Sequence, residues 1–169
     1  MERLKPTLVW LHRRAEDVAV IMLAVMFIAF IVQIASRYLF NLPVGGANEL
    51  TITMWLWVVL WGAAFVLRES EEIRFDIIYG SVSVKTRRIM TILASVGLLF
   101  LYGYSLPAVW DYVTFMKIQK TSYLDIRFDW LFSIYVIFVV AILIRYAFIL
   151  VYALRGRGAE DVQRGDGQT

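Results

Sequence analysis

The side chains able to do chemistry are few in this sequence, and their placement limits what it can do. It has no cysteine and a single histidine, His12. Thiol relays, disulfides, zinc–thiolate sites and iron–sulfur clusters are excluded together, and a haem held between two histidines cannot form within the chain. Acidic groups crowd into one stretch, Arg68-Glu69-Ser70-Glu71-Glu72-Ile73-Arg74-Phe75-Asp76. Three acids in four positions point in different directions around a helix of about 3.6 residues per turn. That spacing defines no metal site, and a solvated loop with local ion pairs is the reading physics favours. Arg145 is the one ionisable residue inside a long apolar run. An intramembrane charge is the default sign of an ion or substrate pathway. Arg145 lies ten residues before Arg155, however, so its long side chain can reach the headgroups. Snorkelling is the favoured reading, with a buried contact to a partner as the other. The residues therefore supply no catalytic group, no substrate-binding group, no metal ligand set and no cofactor site.

The elements that position these residues are membrane helices. Hydrophobic residues make up 60% of the 169, against about 45–50% in a soluble domain, and mean hydropathy is +0.68. A soluble protein of this size has too little interior to hide so much apolar surface. Four apolar runs stand out: Val18–Ser36, Leu50–Leu67, Ile89–Trp110, and Trp130–Leu154, the last interrupted only by Arg145. Each is close to the roughly 20 residues a helix needs to cross about 30 Å of hydrocarbon. The first is too long for the core of a cleaved signal peptide. Strands are excluded, because a lone hairpin would leave unsatisfied edges in lipid. The expected fold is all-α: an integral membrane protein with four transmembrane helices at about residues 17–38, 49–68, 87–110 and 130–154. They form one domain over 1–155, and a disordered, glycine-rich polar tail follows at 156–169.

Lys and Arg set the orientation. The N-terminal segment, the middle connection and the C-terminal segment together carry 12, and the other two connections carry 4. This excess places both termini in the cytoplasm. Net charge is +3 and the pI about 9.3, but the basic residues flank apolar runs instead of forming one patch, so nucleic acid is not a partner. Leu4, Leu8 and Leu11 recur near helical spacing beside Arg3, Lys5, Arg13 and Arg14. Ile73, Ile77, Ile78 and Val82 alternate with polar residues in the middle connection. Both stretches read as short amphipathic helices on the membrane surface. Pro43 and Gly45-Gly46 mark a tight turn between the first two spans. Trp110, Tyr112, Tyr123, Phe128 and Trp130 border the longer outer connection as an interfacial aromatic belt.

Two sets of residues stand out as structural. Arg37 ends the first span and Glu49 begins the second, so both sit at the outer interface. There they either pair across the turn, worth about 0–1 kcal/mol if exposed, or are solvated separately. Trp57 and Trp61 share a face of the second span at i, i+4, and Gly62-Ala63-Ala64 follows. Small residues let helices approach closely in lipid, so this surface packs either within the four helices or against another membrane protein.

Arg37-Tyr38-Leu39-Phe40-Asn41-Leu42-Pro43, then Asn48-Glu49-Leu50, then Trp61-Gly62-Ala63-Ala64 with Arg68 and Glu72-Ile73-Arg74-Phe75-Asp76, resemble the small (Q-type) membrane subunit of tripartite ATP-independent periplasmic (TRAP) transporters. The resemblance runs from about residue 15 to 155, and its specific part is 37–76. Two positions depart from the family pattern. Gly45, Gly46 and Ala47 stand where a tryptophan is frequent, and Glu72 stands where histidine is frequent.

The resemblance implies a non-catalytic scaffold in the bacterial cytoplasmic (inner) membrane. Its partners would be a large polytopic transport subunit, which carries the substrate and sodium sites and moves as an elevator, a periplasmic substrate-binding protein, and membrane lipids. The cargo would be an organic anion bearing a carboxylate. Arg37, Asn41, Pro43 and Glu49 would shape the outer hairpin. Trp57, Trp61, Gly62, Ala63 and Ala64 would form a packing face, Arg68, Glu72 and Asp76 would organise the inner loop, and Arg145 is a further candidate contact. The competing classes are an autonomous four-helix exporter, a membrane enzyme and a lone assembly protein. The exporter needs a buried carboxylate that the first span lacks. The enzyme lacks the thiols and histidines of the usual chemistry.

Overall fold

The structure, a computed structural model, describes residues 5–41, 44–67 and 83–155. Four helices carry almost all of them: α1 (Lys5–Leu39), α2 (Gly45–Trp61), α3 (Val84–Phe115) and α4 (Phe128–Leu154). A π-helical turn, Gly62–Val66, continues α2, and a single 3₁₀ turn, Met116–Ile118, follows α3. The four candidate spans are Val9–Leu39, Gly45–Val66, Lys85–Ile118 and Phe128–Leu154, each long and apolar enough to cross a bilayer. The expected tail at 156–169 and most of the amphipathic stretch before α3 lie outside the described residues, as do Pro43, Arg68, Glu72 and Asp76.

Helix ends depart from the apolar runs for local reasons. α1 is helical from Lys5, the first described residue, and runs unbroken into the first span, so Leu8 and Leu11 lie on the same helix as Val18–Ser36. α1 stops after Leu39, and Asn41 takes a positive φ of 52°, a conformation in which asparagine is enriched among non-glycine residues. Gly45 and Gly46 are the first residues of α2, and the turn precedes them.

The chain divides into two compact units. In the unit built from 1–67 and 109–138, α1 and α2 are antiparallel neighbours. Gln33 donates to Asn48 Oδ1 at 3.4 Å near the turn, while at the far end the Trp61 indole reaches the carbonyl of Ala15. Ala15, Ala29 and Ala47 are buried, consistent with backbones that approach closely where side chains are small. Ile134 of α4 is fully buried at 0% exposure. Phe132 meets Tyr112, Phe128 and Tyr135 at ring-centroid distances of 5.6–6.0 Å.

In the unit built from 68–108 and 139–169, Ser95, Val139, Ile142 and Ala153 are buried. Arg88, in the first turns of α3, donates from Nε to the Ala153 carbonyl at 2.6 Å and from Nη2 to the Leu154 carbonyl at 2.7 Å. The last carbonyls of a helix have no intrahelical partner and carry the negative end of its dipole. A guanidinium fork satisfies both demands at the end of α4.

Candidate functional site

Glu49 lies in the first turns of α2, and its carboxylate is the focus of the connection between α3 and α4. Oε1 accepts from the backbone N–H groups of Ser122 at 2.9 Å and Tyr123 at 3.1 Å. Oε2 accepts from Tyr123 at 3.2 Å and Leu124 at 3.1 Å. Three successive backbone N–H groups converging on one anion form the concave arrangement that proteins use to hold carboxylates and phosphates. Here the anion belongs to the chain itself, more than 70 residues away in sequence.

The loop is shaped to present those donors. Thr121 N–H donates to the Ile126 carbonyl at 2.9 Å, and Ile126 N–H donates back to Thr121 Oγ1 at 3.1 Å. An isolated antiparallel bridge joins Lys120 and Arg127, and Phe128 N–H bonds the Gln119 carbonyl at 3.0 Å. Asp125 takes the positive φ, 52°, that closes the turn. Arg127 then forms a forked pair with Asp129 at 3.1 and 2.6 Å. Asp129 sits in the first turn of α4, where a helix favours negative charge.

The glycines that open α2 make room for this loop. The Tyr123 ring occupies the space a Gly45 Cβ would need, with three ring atoms 2.3–2.6 Å from that position, and Leu124 lies 3.4 Å from the corresponding position on Gly46. The two residues expected to serve a turn instead seat a neighbouring segment.

Two tryptophans continue the attachment along α2. Trp57 Nε1 donates to the Leu131 carbonyl on α4 at 3.0 Å, and Trp61 Nε1 donates to the Ala15 carbonyl on α1 at 3.0 Å. One face of α2 thus grips two other helices. His12 Nδ1 lies 3.2 Å from the Phe65 carbonyl, and its Nε2 lies 3.1 Å from Glu16. Thr51 and Thr53 bond the carbonyls of Ala47 and Glu49, each at 2.8 Å, so their hydroxyls are satisfied within the helix.

Glu49, Trp57 and Trp61 are therefore brought into one fastening system. Arg37 is exposed in the last turn of α1, and among the described residues no ion pair joins it to Glu49, whose oxygens face the loop. Asn41 shapes the end of α1. Gly62, Ala63 and Ala64 form the π turn and are partly exposed, with open space around Gly62. Arg145 is half-buried in α4. Sequence reasoning missed Thr121, the amide donors of Ser122–Leu124, His12 and Arg88. The usable signals were the paired glycines opening an apolar helix and a Thr-Ser-Tyr-Leu-Asp turn facing a lone carboxylate.

Among the described residues no group of three or more His, Asp or Glu side chains is placed to hold a metal ion, and Glu49, Thr51, Thr53, Trp57 and Trp61 of α2 are directed at backbone groups of the same chain. None of the curated proteins compared with the chain matches it. Residues 26–156 match the family model described as tripartite ATP-independent periplasmic transporters, DctQ component. That match covers most of the chain, and the chain belongs to this family.

Proposed function

We propose that the chain is the non-catalytic scaffold of its transporter, binding and bracing a large elevator-type transport subunit. The transporter would carry organic anions bearing carboxylates, by sodium-driven uptake from a periplasmic binding protein. As a DctQ component, the chain is a multi-pass protein of the bacterial inner membrane. The observation that carries the scaffold reading is the use of its polar groups. Glu49, Trp57, Trp61, Thr51 and Thr53 are all engaged with backbone groups of the chain itself. Helices joined in this way suit a fixed wall, with substrate and ion handled in the neighbouring subunit.

In this reading both termini are cytoplasmic, as the 12-to-4 division of Lys and Arg favours. The Glu49 loop then faces the periplasm. Arg37, Asn41 and Pro43 shape the adjoining turn, and Arg68, Glu72 and Asp76 organise the cytoplasmic connection. The test is reconstitution. The tagged chain, co-expressed with the large membrane subunit and purified in mild detergent, should recover it in fixed stoichiometry, and uptake in proteoliposomes should need both chains and the binding protein. Substrate movement down an ion gradient by this chain alone would overturn the scaffold reading.

A further inference from the structure

The unit built from 68–108 and 139–169 is set apart by its charge. Lys85, Arg87, Arg88, Arg145 and Arg155 are its charged side chains among the described residues, and no carboxylate accompanies them there. In the other unit the chain supplies counter-charges of its own. Arg14 meets Asp17 at 3.2 Å, Lys120 meets Asp125 at 3.9 Å, and Arg127 meets Asp129 at 2.6 Å.

Four of these cations gather at one end. The fork from Arg88 to the carbonyls of Ala153 and Leu154 sets the start of α3 beside the end of α4. Lys85 lies three residues before Arg88, on the same side of α3, Arg87 is adjacent, and Arg155 directly follows Leu154. Local energetics oppose the gathering. The first turns of α3 carry the positive end of its dipole, where cations are disfavoured, and no acidic residue stands there. Mutual repulsion adds to the cost. Arg88 recovers part of it from α4, but Lys85 and Arg155 are exposed and form no ion pair among the described residues. The level in the bilayer is equally defined. The uncharged run of α3 begins at Ile89 and the apolar run of α4 ends at Leu154, so the cluster lies where hydrocarbon gives way to headgroups. Each helix carries an apolar column beneath its cation. Ile89 and Leu93 follow Lys85 by four and eight residues, and Tyr152 and Phe148 precede Arg155 by three and seven. All four are exposed, Leu93 by 66% and Phe148 by 62%.

We propose that Lys85, Arg87, Arg88 and Arg155 form a binding site for the headgroup of an anionic phospholipid, whose acyl chains lie along the apolar columns below. Basic clusters at the ends of membrane helices attract such headgroups. Net negative charge is the discriminating chemistry, because a zwitterionic headgroup brings a cation of its own into the cluster. The bound lipid supplies the counter-charge that the described part of this unit lacks. By offsetting repulsion among the four cations it also steadies the contact of Arg88 with the end of α4. The inference is independent of the scaffold reading above.

The experiment titrates the full-length chain, purified in mild detergent, with phosphatidylglycerol, phosphatidylcholine or inorganic phosphate, and follows its thermal midpoint. Phosphatidylglycerol should raise the midpoint, as a ligand of the folded state does, and the other two should not. The double variant Lys85→Gln/Arg155→Gln should weaken the apparent affinity about fivefold for each cation removed, the weight of one basic side chain at an anionic surface. Arg37→Gln/Lys117→Gln, which removes equal charge elsewhere, should leave the response unchanged. A second readout uses the wild-type chain in nanodiscs, and so decides the matter if the double variant does not accumulate. Replacing phosphatidylcholine by phosphatidylglycerol should slow amide exchange at 84–88 and 153–155 and leave 119–126 unaltered. An equal response to phosphatidylcholine, a response reproduced by inorganic phosphate, or a full response in Lys85→Gln/Arg155→Gln overturns the site. So does loss of the lipid response when the chain is purified with the large subunit, which would assign the cations to that protein.

Discussion

Glu49 and Tyr123 are joined twice over. The Tyr123 N–H lies 3.1 and 3.2 Å from the two carboxylate oxygens of Glu49, while the Tyr123 ring covers Gly45 one helical turn away. The backbone of the loop is held by charge and its side chain by a missing Cβ, and the two can be separated.

Replacing Glu49 tests the first. Glu49→Gln keeps the shape but substitutes an NH₂ group for one acceptor, so that donors face a donor. Hydrogen exchange of the Ser122, Tyr123 and Leu124 amides is expected to accelerate, with exchange in α1 little changed. Unaltered protection at those three amides would show that the carboxylate does not hold the loop.

Replacing Gly45 tests the second. In Gly45→Ala the added methyl displaces the Tyr123 ring, which sits at the end of a rotatable side chain. The gain in helix propensity, about 1 kcal/mol at most, offsets part of the lost contact. Amide protection at 122–124 should therefore persist, while the Tyr123 phenol becomes more accessible to chemical nitration. Gly46→Ala meets only ordinary contact with Leu124 and should be neutral or slightly stabilising by thermal unfolding in detergent.

The two tryptophans should act independently. Trp57→Phe and Trp61→Phe each remove one indole donor and leave a carbonyl that the helix can still satisfy. Each should cost about 0.5–1.5 kcal/mol, toward the lower end in a membrane setting. Their partners, Leu131 and Ala15, lie on different helices, so the double variant should lose close to the sum, within about 0.5 kcal/mol. Denaturant unfolding of the three variants in one detergent measures this.

Arg88→Ala should free the last carbonyls of α4. The expected loss is about 1 kcal/mol, the scale of a charge at a helix end, and it should shrink as salt is added because that interaction is screened. Arg88→Lys should recover only part of it, since an ammonium cannot reproduce the fork that reaches both Ala153 and Leu154.

Ile134→Ala should leave a cavity at the most enclosed side chain among the described residues. In lipid the unfolded reference is also apolar, so the transfer term fades and lost packing remains. The expected cost is near the lower end of the roughly 2–5 kcal/mol seen for such truncations, read as a lower thermal midpoint.

The helices were legible because a bilayer forces them to be. An uncharged run such as Ile89–Trp110 has few other folds open to it in hydrocarbon, and four such runs gave four helices. The reach of α1 beyond its apolar run was less visible, since hydropathy marks where lipid ends and not where a helix stops. The connection from Gln119 to Phe128 was largely hidden. Its order comes from a carboxylate on another helix, and local propensity says nothing of a partner so distant in sequence. For the same reason Glu49 could be singled out while its contact could not, and pairing with Arg37 stayed one of two open readings. Arg37 was the nearest opposite charge along the chain, whereas three uncharged amides turned out to be the nearest donors in space. Trp57 and Trp61 were recognised by their shared face, but which carbonyls they reach depends on helix packing.

The π turn at Gly62–Val66 has a consequence for the end of α2. Leu67 N–H bonds the Gly62 carbonyl at 2.8 Å, spanning five residues where an α-helix spans four. The turn works like a one-residue slip in a reading frame. Upstream, Trp57 and Trp61 keep their phase toward their acceptors. Downstream, Leu67 takes a bearing that a regular helix would have assigned to its neighbour. Deleting Ala63 or Ala64 would restore ordinary pitch and leave the tryptophan contacts in place, but it would swing the exit of α2 by about 100° around its axis. The direction in which Leu67 leaves α2 is thus encoded by a single surplus residue, separately from everything that anchors the helix.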